Sequence, residues 1–186
     1  MPKKKKEHIT GHIEAREEAQ PLAFIAVDLE TTGLNRERDE IIEIGAVRFQ
    51  DGLPGETFKA LVNPQRDLSP FIRRLTGITQ DEVDSAPVLS ETLPKFLEFI
   101  GDSALVFHNS RFDLSFLRNG AEVNNTTWDT LTLSRCLLPQ NKSHSKDNLC
   151  KYFRIETGHS HRAYDDALAT GHLFVRLHQM LPGMEL

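Results

Sequence analysis

Asp28 and Glu30 stand two residues apart in the run Leu22-Ala23-Phe24-Ile25-Ala26-Val27-Asp28-Leu29-Glu30. On an extended strand that spacing points both carboxylates to one face, the face that begins with Leu22, Phe24 and Ala26. Two acids on a core face repel each other and lose solvation unless a cation neutralises them. Magnesium or manganese, which favour hard oxygen ligands, supply that charge. The plainer account is a strand that has run out into solvent at its C-terminal end. The loop that follows, Thr31-Thr32-Gly33-Leu34, offers hydroxyls, backbone N–H groups and a glycine that permits close backbone approach. Beside a metal site it reads as a holder for a terminal nucleotide, and otherwise as an ordinary glycine turn.

Two further segments carry acids beside histidines. In His108-Asn109-Ser110-Arg111-Phe112-Asp113, Asn109 or Ser110 is placed to cap a helix, with Asp113 in its first turn. Asp113 there serves either the helix dipole or the Asp28/Glu30 pair. His108 reads as a strand-end histidine or a substrate contact, and Phe112 as core or as a stacking platform. In His161-Arg162-Ala163-Tyr164-Asp165-Asp166, a loop histidine precedes a helix whose Ala163, Ala167, Gly171 and Phe174 share one face. Asp166 falls on the Ala163 side, so it and His161 converge: a metal-ligating carboxylate beside a base of near-neutral pKa. His159 and Asp165 compete for these places, although Asp165 is rotated about 100° from Asp166.

The elements that must position these groups follow from patterning. Residues 22–30 and 41–49 read as strands apolar on both faces, and 56–62 as a third strand reached through the turn 51–55. Ser69-Pro70 and Thr79 start short helices, and 89–100 is an amphipathic helix with Pro94 in its first turn or at a bend. A short buried strand at 104–107 precedes helical patterns at 111–120, 129–138, 145–153 and 163–180. Strands first and alternation afterwards imply an α/β fold, a mixed sheet with helices on its faces.

Composition sets outer bounds. The chain has 186 residues, 39% hydrophobic and 26% charged, enough for one globular domain. No apolar run reaches the roughly 20 residues of a membrane span, so no membrane partner is expected. The two cysteines, Cys136 and Cys150, form no Cys-x-x-Cys pair, and a reducing cytoplasm suits the chain. The net charge of −5 speaks against a nucleic-acid partner, but two bound divalent cations bring it to about −1. Residues 1–20, with Lys3 to Lys6, read as a charged flexible tail, residues 21–182 as the folded domain and residues 183–186 as a C-terminal tail.

Taken together and in this order, the three segments resemble the DEDDh (DnaQ-like) 3′→5′ exonuclease family, over nearly the whole chain from Leu22 to Met180. The matching acids are Asp28, Glu30, Asp113 and Asp166, with His161 as the histidine that names the subclass. Ile42-Glu43-Ile44-Gly45-Ala46, Leu75-Thr76-Gly77-Ile78 and Asp129-Thr130-Leu131 extend the likeness. Among family members the sequence is most similar to the proofreading exonucleases of bacterial DNA polymerase III.

The resemblance implies a ribonuclease H-like mixed five-stranded sheet flanked by helices. It also implies two Mg²⁺ or Mn²⁺ ions held by the four acids, with Asp28 bridging and Asp113 acting through a water. His161 then takes the proton of the attacking water, and Thr31, Gly33, His108 and Phe112 hold the terminal nucleotide. The implied partners are a single-stranded or frayed DNA 3′ end and a DNA polymerase catalytic subunit. RNA is the alternative substrate, and a non-catalytic nucleic-acid or polymerase-binding module the alternative class.

Overall fold

A computed structural model describes residues 22–158 and 161–181. The expected tails and the rival histidine His159 lie outside the described residues. Three antiparallel strands come first: β1 (Ala23–Thr31), β2 (Ile41–Gln50) and β3 (Leu53–Leu61). β4 (Leu105–Phe107) then adds parallel to β1, and β5 (Thr127–Asp129) parallel to β4, giving the order β3-β2-β1-β4-β5. The helices are α1 (Pro70–Thr76), α2 (Gln80–Asp84), α3 (Leu89–Ile100), α4 (Ser110–Gly120), α5 (Thr130–Leu137), α6 (Lys146–Phe153) and α7 (Ala163–His178).

The alternation of β1 divides the core. Ile25, Val27 and Leu29 pack with Phe96 of α3 and Leu117 of α4, whereas Phe24 and Ala26 pack with Ala167 and Phe174 of α7. α7 seats closely because its contact face is small. A Cβ on Gly171 would stand 2.1 Å from the Phe49 ring, and one on Gly45 of β2 would stand 2.1 Å from the Ala163 backbone. Both contacts require glycine.

Most expected elements are present, with three differences. β3 starts at Leu53 rather than Glu56, because Asp51 and Gly52 (φ 53° and 78°) make a two-residue hairpin turn. Pro54 is tolerated because β3 is an edge strand. β5, a three-residue strand of Thr, Trp and Asp, is an element the sequence pattern does not place; it ends at Asp129, the side-chain cap of α5, where the helix expected at 129–138 begins. Neither Asn109 nor Ser110 caps α4 through its side chain. Asn109 adopts the left-handed conformation (φ 73°), and its N–H donates to Asp129 Oδ1 at 3.0 Å. Pro94 lies beyond the first turn, inside α3.

Ser69 and Thr79 cap α1 and α2 as expected, Thr79 in a reciprocal capping box with Glu82. Among the described residues, no helix is long and apolar enough to cross a membrane.

Candidate active site

Asp28 and Glu30 occupy the C-terminal end of β1, on the face that carries Phe24 and Ala26 further back. A register irregularity lies between Glu30 and Thr31, where β2 contributes an extra residue. Bulges of this kind re-aim side chains at strand ends. The C-terminal ends of the parallel strands β4 and β5 lie alongside, so His108 and α4 follow β4 directly into the same region. Asp113, buried in the first turn of α4, accepts the Leu29 N–H through Oδ1 at 3.2 Å. That bond ties α4 to the strand between the two acids.

α7 brings the third segment. Glu43, directly opposite Glu30 on β2, accepts from Arg162 Nη2 at 2.8 Å and from the Ala163 N–H at 2.9 Å. No side chain of its own caps α7, so Glu43 satisfies the helix start from across the sheet. His161 then sits in the left-handed conformation (φ 64°), and its N–H donates to Asp166 Oδ2 at 3.0 Å. The expected convergence of His161 and Asp166 is present. Asp165 lies one residue earlier on α7, away from this bond.

All nine residues singled out from the sequence line one cavity of about 430 Å³: Asp28, Glu30, Thr31, Gly33, His108, Phe112, Asp113, His161 and Asp166. A larger hollow of about 1170 Å³ is lined by Glu43, Lys59, Arg74 and Arg162, but its Glu43 is committed to α7. Leu34, Phe71 and Lys146 also line the cavity, and the sequence pattern assigns no role to Phe71 or Lys146. Leu34 and Phe71 are exposed by 86% and 61%, apolar surface at the mouth of an acidic cavity. The third is Lys146, whose Nζ lies 3.1 Å from Asp28 Oδ1 and 3.0 Å from Asp166 Oδ1. Its signal was present in the sequence. Lys146 precedes Leu149, Cys150 and Phe153 by three, four and seven positions, so it occupies the buried stripe of α6.

Gly33 and Thr31 have structural duties as well. A Cβ on Gly33 would fall 2.5 Å from the Asp39 carboxylate, which also accepts from Asn35 N, and the Thr31 hydroxyl donates to the Gly33 carbonyl at 2.6 Å. These bonds shape the loop after β1 around Asp39.

The electrostatics are those of a site short of positive charge. Burial pushes the Asp28 carboxyl up to about 6, and Asp166 adds to the rise against the pull of Lys146. Glu30 is pushed up to about 8, first by burial and then by Asp28 and Asp166. Burial and the Asp28 charge hold Asp113 well above the ordinary carboxylate range. Burial alone would lower Lys146, but Asp28 and Asp166 outweigh it and raise its pKa. His108 is pushed down to about 4, chiefly by burial, and is neutral. Its Nδ1 lies 2.9 Å from the Thr130 hydroxyl, which gives its own proton to the Phe107 carbonyl.

The donor set fits a hard divalent cation. Ligand atoms of Glu30, His161 and Asp166 lie within 4.8 Å of one another, and the raised carboxyl groups lack the charge that such an ion brings.

The sequence profile described as exonuclease matches residues 25–174, the span that carries every one of these groups. The chain belongs to the exonuclease family. Exonucleases of this kind are metal-dependent. The DNA polymerase III PolC-type protein of Caldanaerobacter subterraneus subsp. tengcongensis is 44% identical over 178 residues, covering 93% of this chain and 12% of that relative. The chain spans 11 to 12% of the length of the curated relatives it matches.

Among solved structures, Exonuclease X in complex with 5′ overhanging duplex DNA superposes with a TM-score of 0.73 at 28% identity. The match covers 87% of this chain and 94% of that one. The zinc-bound form of the Escherichia coli ExoI–single-stranded DNA complex, at 22% identity and a TM-score of 0.72, covers 86% of this chain and 41% of that one and shares the fold. The five-stranded sheet and its flanking helices are thus the ribonuclease H-like exonuclease fold expected from the sequence.

Proposed function

We propose that the chain is the 3′→5′ exonuclease unit of a replication proofreading system. It hydrolyses the terminal phosphodiester of a single-stranded or frayed DNA end with two Mg²⁺ or Mn²⁺ ions. The observation that carries the reading is the meeting of Asp28, Glu30, Asp113, Asp166 and His161 on one cavity. The similarity to PolC-type polymerases supports the proofreading context, and a polymerase catalytic subunit is the partner it suggests.

Asp28, Glu30 and Asp166 would hold the ions, with Asp113, buried against the Leu29 N–H, contributing through a water. When bound, the ions would supply Lewis acidity to the scissile phosphate and to the attacking water. His161 accepts the proton of that water at a ring nitrogen, and the bond from its N–H to Asp166 keeps the imidazole beside the ligands. Thr31, Gly33, His108 and Phe112 surround the terminal nucleotide. Leu34 and Phe71 offer apolar surface to the bases. A cavity of about 430 Å³ is of a size to take one terminal nucleotide.

The test uses 5′-labelled single-stranded DNA and RNA of one sequence, with Mn²⁺ or with chelator, beside Asp28→Ala and His161→Ala. A metal-dependent ladder shortening from the 3′ end of DNA, lost in both variants, is expected. Faster shortening of RNA would move the substrate to RNA. No shortening of either strand by folded, Mn²⁺-bound protein would leave a binding module.

A further inference from the structure

Lys146 is the first residue of α6, an eight-residue helix, and its side chain is largely buried. Neither fact suits a lysine. The start of a helix is the positive end of its dipole, and a buried ammonium loses its hydration. The stripe to which Lys146 belongs continues with Leu149 and Cys150, both buried, so an apolar residue would fit there. What compensates is a pair of ionic contacts, to Asp28 Oδ1 at 3.1 Å and Asp166 Oδ1 at 3.0 Å. The ammonium thus sits between two of the four acids.

Asp166 faces two ways. Its Oδ1 meets Lys146, while its Oδ2 accepts the His161 N–H. Ligand atoms of Glu30 and His161 gather with Asp166 in a second grouping. One cationic place, between Asp28 and Asp166, therefore already holds a positive charge belonging to the chain. The four-carbon stem of lysine lets that charge withdraw, and the cavity it lines gives it room to do so.

We propose that Lys146 is a built-in competitor for the divalent cation bound between Asp28 and Asp166. Its ammonium neutralises the two acids in the metal-free chain and must be displaced when an ion occupies that place. It thereby sets the metal concentration at which the site fills. The inference rests on the metal-dependent reading given above.

Calorimetric titration with Mn²⁺, at fixed pH and ionic strength, compares the wild-type chain with Lys146→Met and Lys146→Gln. At least tenfold tighter binding is expected in both variants, since each removes the competing charge. Melting in chelator gives a second readout. The variants lose a counter-ion and melt below wild type, and saturating Mn²⁺ closes the gap. For the wild-type chain itself, the ¹³Cε signal of Lys146 is expected to move in step with Mg²⁺ binding. Unchanged or weaker Mn²⁺ affinity in the variants, or a stationary Lys146 signal at saturating Mg²⁺, overturns the proposal. If wild type still degrades single-stranded DNA with Mn²⁺ in that case, only the role of Lys146 fails. If neither wild type nor variants bind Mn²⁺ and no DNA is degraded, the exonuclease reading fails with it.

Discussion

His161 holds a backbone conformation that a residue with a Cβ adopts only at a cost of about 1–3 kcal/mol. Its N–H bond to Asp166 Oδ2 helps to offset that cost and fixes the imidazole next to a carboxylate. A histidine placed this way suits proton transfer, and His161→Gln should lower kcat by about 10²–10⁴-fold with little change in KM. Steady-state kinetics on a short oligonucleotide would check it; equal losses in kcat/KM through KM alone would make His161 a binding residue. Glu30→Gln separates a ligand from a merely buried acid. Because the metal-free chain strains to ionise Glu30, the neutral amide should leave the chelated protein as stable as wild type or more so, while weakening Mn²⁺ binding and activity at least tenfold. Thermal melting and Mn²⁺ titration read the two effects separately. At this scale the combined order of the motifs singles out the four acids and His161, which the fold brings to one cavity, since each motif alone has an ordinary structural account. Lys146 went unread although its stripe position marked it, because an isolated lysine in a helical pattern is usually solvated. The service of Gly33 to Asp39 was invisible, because that contact exists only once the loop after β1 has closed on itself.

The elements matter through how tightly they bring α7 onto the sheet. Gly45 pairs with Asp28 across the strands and faces the start of α7, so the helix that carries Asp166 rests on a residue with no side chain. Gly45→Ala should force Ala163 away from β2, destabilise the fold by about 1–3 kcal/mol and cost activity out of proportion. Denaturant unfolding beside single-turnover cleavage distinguishes this from loss of stability alone. Turnover unchanged in the folded fraction would show that α7 can shift without moving Asp166. Glu43→Gln should loosen the same junction, since three donors, two from Arg162 and one from Ala163, converge on its carboxylate. The long, apolar strands β1 and β2 and the capped helices α1 and α2 were legible because pattern and cap agree locally. β5 was not. Three residues with no apolar alternation take their strand state from pairing with β4, which only the tertiary structure supplies. The start of α4 differs from its sequence pattern for a similar reason: Asp129, 20 residues away, accepts the Asn109 N–H.

For the whole molecule, the consequence of crowding acids into one cavity is a stability that depends on pH and on metal together. Glu30 and Asp28 rise on folding from ordinary values of 4.5 and 3.8 to about 8 and about 6, and Asp113 rises as well. Between those limits the folded chain binds more protons than the unfolded one. Unfolding free energy must therefore decrease as pH climbs, with the contribution fully present below about pH 4 and lost through pH 6 and then pH 8. Lys146 adds no slope here, since it stays protonated in both states across this range. A divalent cation reverses the sign by stabilising the ionised carboxylates, so binding expels protons and apparent metal affinity rises from pH 6 to pH 8. Calorimetric melting in chelator should give a Tm that falls between pH 5 and pH 8.5. Saturating Mg²⁺ should flatten that slope, and at 100 times the dissociation constant it adds about 2.7 kcal/mol. Mg²⁺ titrations at pH 7 in buffers of different ionisation enthalpy should also yield heats that differ by the protons released. A chelated Tm independent of pH, with buffer-independent heats, would mean that the acids are already ionised in the metal-free chain. Lys146 and the surrounding dipoles would then be neutralising the cavity more fully than the buried carboxylates indicate.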